Sequence, residues 1–187
     1  MAVLIPVKAF AQSKTRLAPA LDPAARAALA RTMATSVVAA AAPFAVAVVC
    51  DDAEVAEWAR DQGALVVWEP ERGLNQAVEA GVARLGAGGV QRCIVAHADL
   101  PFVTTFEPMM PRSRVAYAEV TMVGDRAGNG TNALCIPTGA GFGFSYGPGS
   151  FQRHKAEAQR LGLAVRILEA TDIAHDVDLP ADLARPA

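Results

Sequence analysis

A short apolar run, Val3-Leu4-Ile5, opens the chain and reads as a buried strand. Asp22-Pro23 then forms a helix start, a capping carboxylate followed by proline at the first helical position. Leu29, Met33 and Val37 recur every four residues and lay one apolar face along a helix that Pro43 ends. The alternation continues with a strand at 46–50, a helix at 53–62 closed by Gly63, and a strand at 65–68. Leu74, Val78, Val82 and Leu85 mark a third helix stopped by Gly86, and residues 92–96 make a fourth strand. The second half is less regular. A long strand is expected at 115–123, a polar glycine-rich loop at 124–130, a short strand at 133–136 and another extended piece at 142–146. Ser150 reads as the cap of a helix reaching about residue 161, with Gly162 as its stop, before a last strand at 164–168 and an acidic tail.

Strands and helices alternating through short connectors imply right-handed crossovers. The expected fold class is α/β, a single domain over residues 1–187 with a mostly parallel central sheet flanked by helices. No internal repeat or dividing linker breaks this pattern. Ligands of such sheets gather beyond the carboxyl ends of the strands. Those ends carry residues 8–16, Asp51-Asp52, residues 69–75 and residues 97–99, so polar side chains concentrate where a site belongs.

Composition narrows the picture. With 52% hydrophobic and 19% charged residues the chain is globular, and a formal charge of −2 argues against a sequence-independent grip on nucleic acid. Cys50, Cys93 and Cys135 are far apart within or beside apolar runs, which suits reduced core thiols better than disulfides or zinc. No signal peptide or membrane-length apolar run is evident, and a cytoplasmic protein without membrane partners is expected. Oligomeric state, homo-oligomerisation included, stays open.

Four segments could carry chemistry. The loop Lys8-Ala9-Phe10-Ala11-Gln12-Ser13-Lys14-Thr15-Arg16 offers cations, hydroxyls and free amides to a phosphate chain, or is simply a solvated loop. It matches neither a P-loop nor a dinucleotide fingerprint. Asp99 in His97-Ala98-Asp99-Leu100-Pro101 can hold Mg²⁺, which needs only one or two protein carboxylates, or can be a turn former. Asp176 and Asp178 alternate onto one side of an extended segment, as a shared cation requires, or belong to an acidic turn. Gly128-Asn129-Gly130-Thr131-Asn132 and Gly147-Pro148-Gly149-Ser150 can bring backbone close to an anion, with ordinary turns as the alternative. Arg153 opposes the dipole of the helix it starts, which an anion nearby would offset. His154 is expected on the helix surface, and Trp58 and Trp68 in packing. No zinc spacing involves His175, and no G-x-S-x-G elbow is present.

Taken in order, IPVKAFAQSKTRLAP (5–19), VVCDD (48–52), GLNQAVEAG (73–81), HADLP (97–101), DR (125–126), GNGTNAL (128–134), GPGSFQRH (147–154) and DVDLP (176–180) span nearly the whole chain. This series resembles the 2-phospho-L-lactate guanylyltransferase family of coenzyme F420 biosynthesis, including its phosphoenolpyruvate-using members. GTNAL followed by GPGSF and a histidine is its specific part. The resemblance implies a glycosyltransferase-A-like nucleotidyltransferase fold and Mg²⁺-dependent transfer of GMP from GTP to a phosphorylated three-carbon acid, with release of pyrophosphate. It implies Asp99, Asp176 and Asp178 as metal ligands, and Lys8, Lys14 and Asp99 as catalytic groups. Thr131, Gly147 and Ser150 would hold the phospho-acid. Ser13, Arg16, Asp51, Asp52, Gly73 and Asn75 would line the nucleotide side.

Two departures stand out: prolines at 108 and 111 where a continuous helix is expected, and small substitutions around residues 128–130. A molybdopterin guanylyl- or sugar-phosphate nucleotidyltransferase is disfavoured, because the loop after the first strand lacks their glycine pair. A non-catalytic nucleotide-binding module is disfavoured by acidic residues in both expected metal motifs.

Overall fold

The first strand, β1 (Ala2–Pro6), turns Val3 and Ile5 to one face of the sheet and Ala2 and Leu4 to the other, and all four are buried. Burial on both faces is why it reads as a continuous apolar run rather than an alternation. The computed structural model describes residues 1–70, 73–112, 118–170 and 172–184. After β1 come α1 (Pro23–Ala40), β2 (Ala45–Cys50), α2 (Ala53–Asp61), β3 (Leu65–Trp68), α3 (Leu74–Ala87) and β4 (Arg92–Ala96). Then follow β5 (Glu119–Gly124), β6 (Thr131–Pro137), α4 (Ser150–Arg160) and β7 (Ala164–Ile167).

The seven strands form one sheet in the order β3-β2-β1-β4-β6-β5-β7. β3, β2, β1 and β4 are parallel, β6 is antiparallel to both β4 and β5, and β5 and β7 are parallel to each other. β6 therefore runs against the rest, and its first residue lies at the rim where the parallel strands end. On one face Val3, Ile5 and Ile94 pack with Val37 of α1 and Val55 of α2. On the other Leu4, Val95 and Leu134 pack with Val78 and Val82 of α3 and Phe151 of α4. The three cysteines are free and buried, as expected. Among the described residues no helix is long and apolar enough to cross a membrane.

Several boundaries differ from the sequence reading for identifiable reasons. Helix α3 continues through Gly86 to Ala87, and Gly89, at φ +87°, takes the left-handed turn instead. Gly86 is a packing position: a Cβ there would lie 3.2 Å from the Cβ of Thr138. Residues 115–117 of the long predicted strand lie outside the described residues, and β5 begins at Glu119. Residues 142–146 form no strand. Their amides donate to side chains instead: Gly143 to Glu157 (2.9 Å), Phe144 to Glu79 (3.1 Å), Ser145 to His154 (2.9 Å) and Tyr146 to Asn75 (2.7 Å). Around the two prolines the chain makes only a single 3-10 turn, Glu107–Met109, with Phe106 and Met109 buried. Trp58 packs in the core, whereas Trp68 sits on edge strand β3 and is 47% exposed, contrary to expectation.

Candidate active site

Order reverses beside β1, which has β2 on one side and β4 on the other, and a crevice opens there at the strands' carboxyl ends. It is a cleft of about 630 Å³ lined by the loop after β1, by Asp51 and Glu69 after β2 and β3, by His97 to Asp99, and by Thr131, Gly147 and Ser150 across from them. That volume suits a nucleotide with a small second substrate.

Lys14 is central. Two 3-10 turns, Phe10–Gln12 and Thr15–Leu17, flank it, and it adopts φ 55°, the left-handed region, alone among the described non-glycine residues. Such a conformation costs about 1–3 kcal/mol and persists where the surroundings enforce it. It delivers Nζ to 2.5 Å from Asp99 Oδ2 and 3.0 Å from Asp178 Oδ1, while Arg16 reaches Asp178 at 3.3 Å. Burial pulls the Lys14 ammonium down, but Asp99 and then Asp178 outweigh it and hold it above the ordinary lysine range. Burial likewise pushes Asp99 up, and Lys14, helped by His97, keeps it below the usual carboxylate range. Asp176 is held above that range by burial and by the charge of Asp99.

The tail is fixed from several directions. Val177 N–H donates to Asp99 O (3.3 Å), Asn132 Nδ2 donates to Ile173 O (3.0 Å), and Asp182 accepts the amides of Asp178 and Leu179 while pairing with Arg126. Carboxylates 77 or more positions apart in sequence thus share one cleft. They fit a hard cation. An ammonium already bridges Asp99 and Asp178, and Asp99 Oδ1 is buried without a hydrogen-bond partner. Among the described residues no three His, Cys, Asp or Glu side chains form a ready metal cage. A Mg²⁺ shell would be completed by phosphate oxygens and water.

The opposite wall is sewn together by side chains. Asp125 accepts the amides of Asn129 (2.8 Å) and Gly130 (2.7 Å), and Asn129 Oδ1 accepts the amide of Gly149 (2.9 Å). Gly147 and Gly149 take φ +109° and +76°, which glycine alone adopts readily. Arg153 has partners within the protein: its guanidinium donates to the carbonyls of Ser145, Gly147 and Pro148 and braces this turn. Ser150 is not the cap of α4. Gly149 holds that position, and a hydrogen bond of 3.2 Å joins Ser150 Oγ to Thr131 Oγ1. Ser150 is 1% and Thr131 2% exposed.

Of the residues assigned to the nucleotide side, Ser13, Arg16 and Asp51 line the cleft, as does Lys8. Ser13 Oγ donates to Ala9 O and tightens the loop. Asp52 instead caps α2, accepting the amide of Val55 at 3.1 Å. Gly73 precedes α3, and Asn75 supports the amide of Tyr146, while Leu74 and Ala77 face the cleft. His154 joins the site against expectation. Rather than lying on the surface it is fully buried, with Nδ1 3.0 Å from Thr131 Oγ1. Its spacing of four from Ser150 was the available signal, since such residues share a helix face.

Burial and the Arg153 and His97 charges, partly opposed by Glu157, lower the pKa of His154 to about 4 from 6.5. The unfolded chain therefore binds the extra proton first. Fold stability should be fully present above pH about 6.5 and decline as pH falls from there through about 4, by about 3 kcal/mol. Urea unfolding at several pH values checks this, and His154→Gln should flatten the profile across that window.

The family described as guanylyl transferase CofC like matches residues 1–185. A phosphoenolpyruvate guanylyltransferase from Rubrobacter xylanophilus is 38% identical, the alignment covering 97% of this chain and 91% of the relative. A 2-phospho-L-lactate guanylyltransferase from Methanothermobacter thermautotrophicus is 31% identical over 96% of this chain and 81% of its own. A crystal structure from Desulfovibrio desulfuricans, described as a nucleotide-diphospho-sugar transferase, superimposes with TM-score 0.78 at 17% identity, covering 98% of this chain and 85% of that one. At that identity it speaks for the fold alone, glycosyltransferase-A-like as expected.

Proposed function

This chain belongs to the CofC-like guanylyl transferases, and from that premise we propose that its cleft joins GTP and phosphoenolpyruvate with the help of a magnesium ion. As a guanylyltransferase of coenzyme F420 biosynthesis it moves GMP from GTP to a phosphorylated three-carbon acid and releases pyrophosphate. Phosphoenolpyruvate is favoured as acceptor by the name of the 38% identical relative, with 2-phospho-L-lactate as the competitor. One observation carries the reading. Asp99 and Asp178 converge on a single cationic group, across the cleft from Thr131, Gly147 and Ser150.

In the transfer, a phosphate oxygen of the acid forms a bond to the α-phosphorus of GTP. The bond from that phosphorus to the bridging oxygen breaks, and its electron pair leaves with pyrophosphate. A phosphomonoester is largely ionised at neutral pH, so no strong general base is needed. Bringing two anions together is the difficulty, and positioning with charge neutralisation supplies the acceleration. Lys8, Lys14 and Arg16 bring three cations from one loop to the triphosphate side. Mg²⁺, held by Asp99 with Asp176 and Asp178, would polarise the α-phosphate and neutralise the departing pyrophosphate. Thr131, Ser150 and the backbone at Gly147 hold and orient the acid.

The test is pyrophosphate release from GTP with each acid separately, with and without Mg²⁺. Release that needs both Mg²⁺ and phosphoenolpyruvate is the expected result, and equal release without any acid would refute the reading. In the same assay Ser150→Ala should raise the acceptor KM about tenfold, the order expected for one charge-assisted hydrogen bond, and leave the GTP KM near its original value. An unchanged acceptor KM would remove Ser150 from the acid's cradle.

A further inference from the structure

His154 lies one layer behind the cleft, on the inner face of α4, with no exposed surface. Its ring sits among those of Phe142, Phe144 and Tyr146, at centroid distances of 5.9, 6.1 and 4.9 Å. Both ring nitrogens are engaged. Nε2 faces the amide of Ser145 at 2.9 Å, and Nδ1 faces Thr131 Oγ1 at 3.0 Å. A backbone amide can only donate, so Nε2 must be the bare nitrogen and accept. In the neutral ring the proton then belongs to Nδ1, which donates to Thr131.

That assignment limits what the two hydroxyls can do. Thr131 and Ser150 each own one proton, and a single hydrogen bond of 3.2 Å joins them. One of the two protons is used in that bond. If Ser150 donates, Thr131 has received two hydrogen bonds and keeps its own O–H for the cleft. If Thr131 donates, the remaining O–H is that of Ser150. Thr131 cannot turn its proton toward His154, because Nδ1 already presents one. In either arrangement the pair offers a donor, and an incoming group must bring an acceptor oxygen. Were Nδ1 bare, the Thr131 proton could turn inward and the pair would present no O–H to the cleft.

We infer that His154 is a positioning residue for the acceptor: through the Ser145 amide its tautomer is fixed, and it compels the Thr131–Ser150 pair to donate a hydrogen bond to an anionic oxygen of the phosphorylated acid. This rests on the proposed acid-binding role of that pair and adds the group that sets its polarity. The Ser145 amide belongs to residues 142–146, the stretch held by side chains, so the specification begins outside the cleft.

Two isosteric substitutions separate this role from packing. Asparagine places a side-chain N–H near the Nδ1 position and keeps a donor to Thr131, while glutamine reaches the Nε2 position and keeps an acceptor for Ser145. Steady-state KM for GTP and for phosphoenolpyruvate, with kcat, would be measured for wild type, His154→Asn and His154→Gln, each alone and combined with Thr131→Val. The expected result is an acceptor KM raised at least tenfold in His154→Gln, with His154→Asn several-fold closer to wild type. The GTP KM should differ less than threefold between them, and His154→Gln should add little in the Thr131→Val background. Equal acceptor KM in the two single variants, parallel changes in both substrates, or a full additional loss on top of Thr131→Val would overturn the inference. Melting curves identify a variant that fails to fold, in which case the remaining variant is compared with wild type and Thr131→Val by the same criteria. Wild-type enzyme that releases pyrophosphate with none of the acids would overturn the proposed function and this role together, whereas an active wild type with indifferent His154 variants overturns only the role.

Discussion

Asp99→Asn is expected to lower the rate of pyrophosphate release at least about 10³-fold, equivalent to about 4 kcal/mol of transition-state stabilisation, with the fold retained. The residue lies just beyond the buried strand β4, is isosteric with asparagine, and contributes its backbone carbonyl to the tail through Val177 whatever the side chain is. What changes is charge. Asp99 holds Lys14 at 2.5 Å and has a second, buried oxygen without a partner, so the substitution removes the anionic donor at the centre of the carboxylate group. Circular dichroism and single-turnover measurement with GTP, Mg²⁺ and phosphoenolpyruvate would distinguish a chemical defect from unfolding. A folded variant within tenfold of the wild-type rate would displace Asp99 from the chemistry.

Lys14→Met should produce an effect visible without turnover. It leaves Asp99, Asp176 and Asp178 with less opposing charge, and breaking a buried ion pair commonly costs about 3–5 kcal/mol. Because Asp178 is 42% exposed, a loss of about 2–3 kcal/mol in cation-free buffer is the reasonable expectation. Mg²⁺ at about one hundred times its Kd returns roughly 2.7 kcal/mol to a protein that binds it only when folded. The variant should therefore be less stable than wild type in chelator and gain more from Mg²⁺ in thermal unfolding. Identical Mg²⁺ responses in both proteins would argue against a shared cation site. Guanylyl transfer should also fall, since one of the loop's three cations is gone.

Much of this arrangement was legible in the sequence, and the gaps have physical causes. β1, β2 and β4 were readable because strands buried on both faces are continuous apolar runs, and α1 because Asp22-Pro23 is a local signal acting through its own backbone. That Asp99 and the loop carrying Lys14 share a crevice followed from the rule that parallel strands present their ends together, and the family resemblance added Asp178, but the Lys14 bridge between the two carboxylates was not expected. The acceptor wall was less accessible, since its order is made by long-range side-chain bonds. Arg153 looked misplaced on the helix dipole because its partners are carbonyls of the preceding turn. Asp52 looked like a nucleotide ligand because a cap and a ligand have the same local sequence. His154 looked exposed because the rings of Phe142, Phe144 and Tyr146 enclose it only once their stretch folds back along α4 instead of forming a strand.

Residues 142–146 have a dynamic consequence. Neighbouring amides in a sheet are protected together, since one ladder melts as a unit. Here Gly143, Phe144, Ser145 and Tyr146 depend respectively on Glu157, Glu79, His154 and Asn75, four side chains on two different helices. Deuterium should enter this stretch one position at a time when those anchors are changed singly. The protein thereby has a segment whose rigidity can be graded residue by residue, directly beside the cleft.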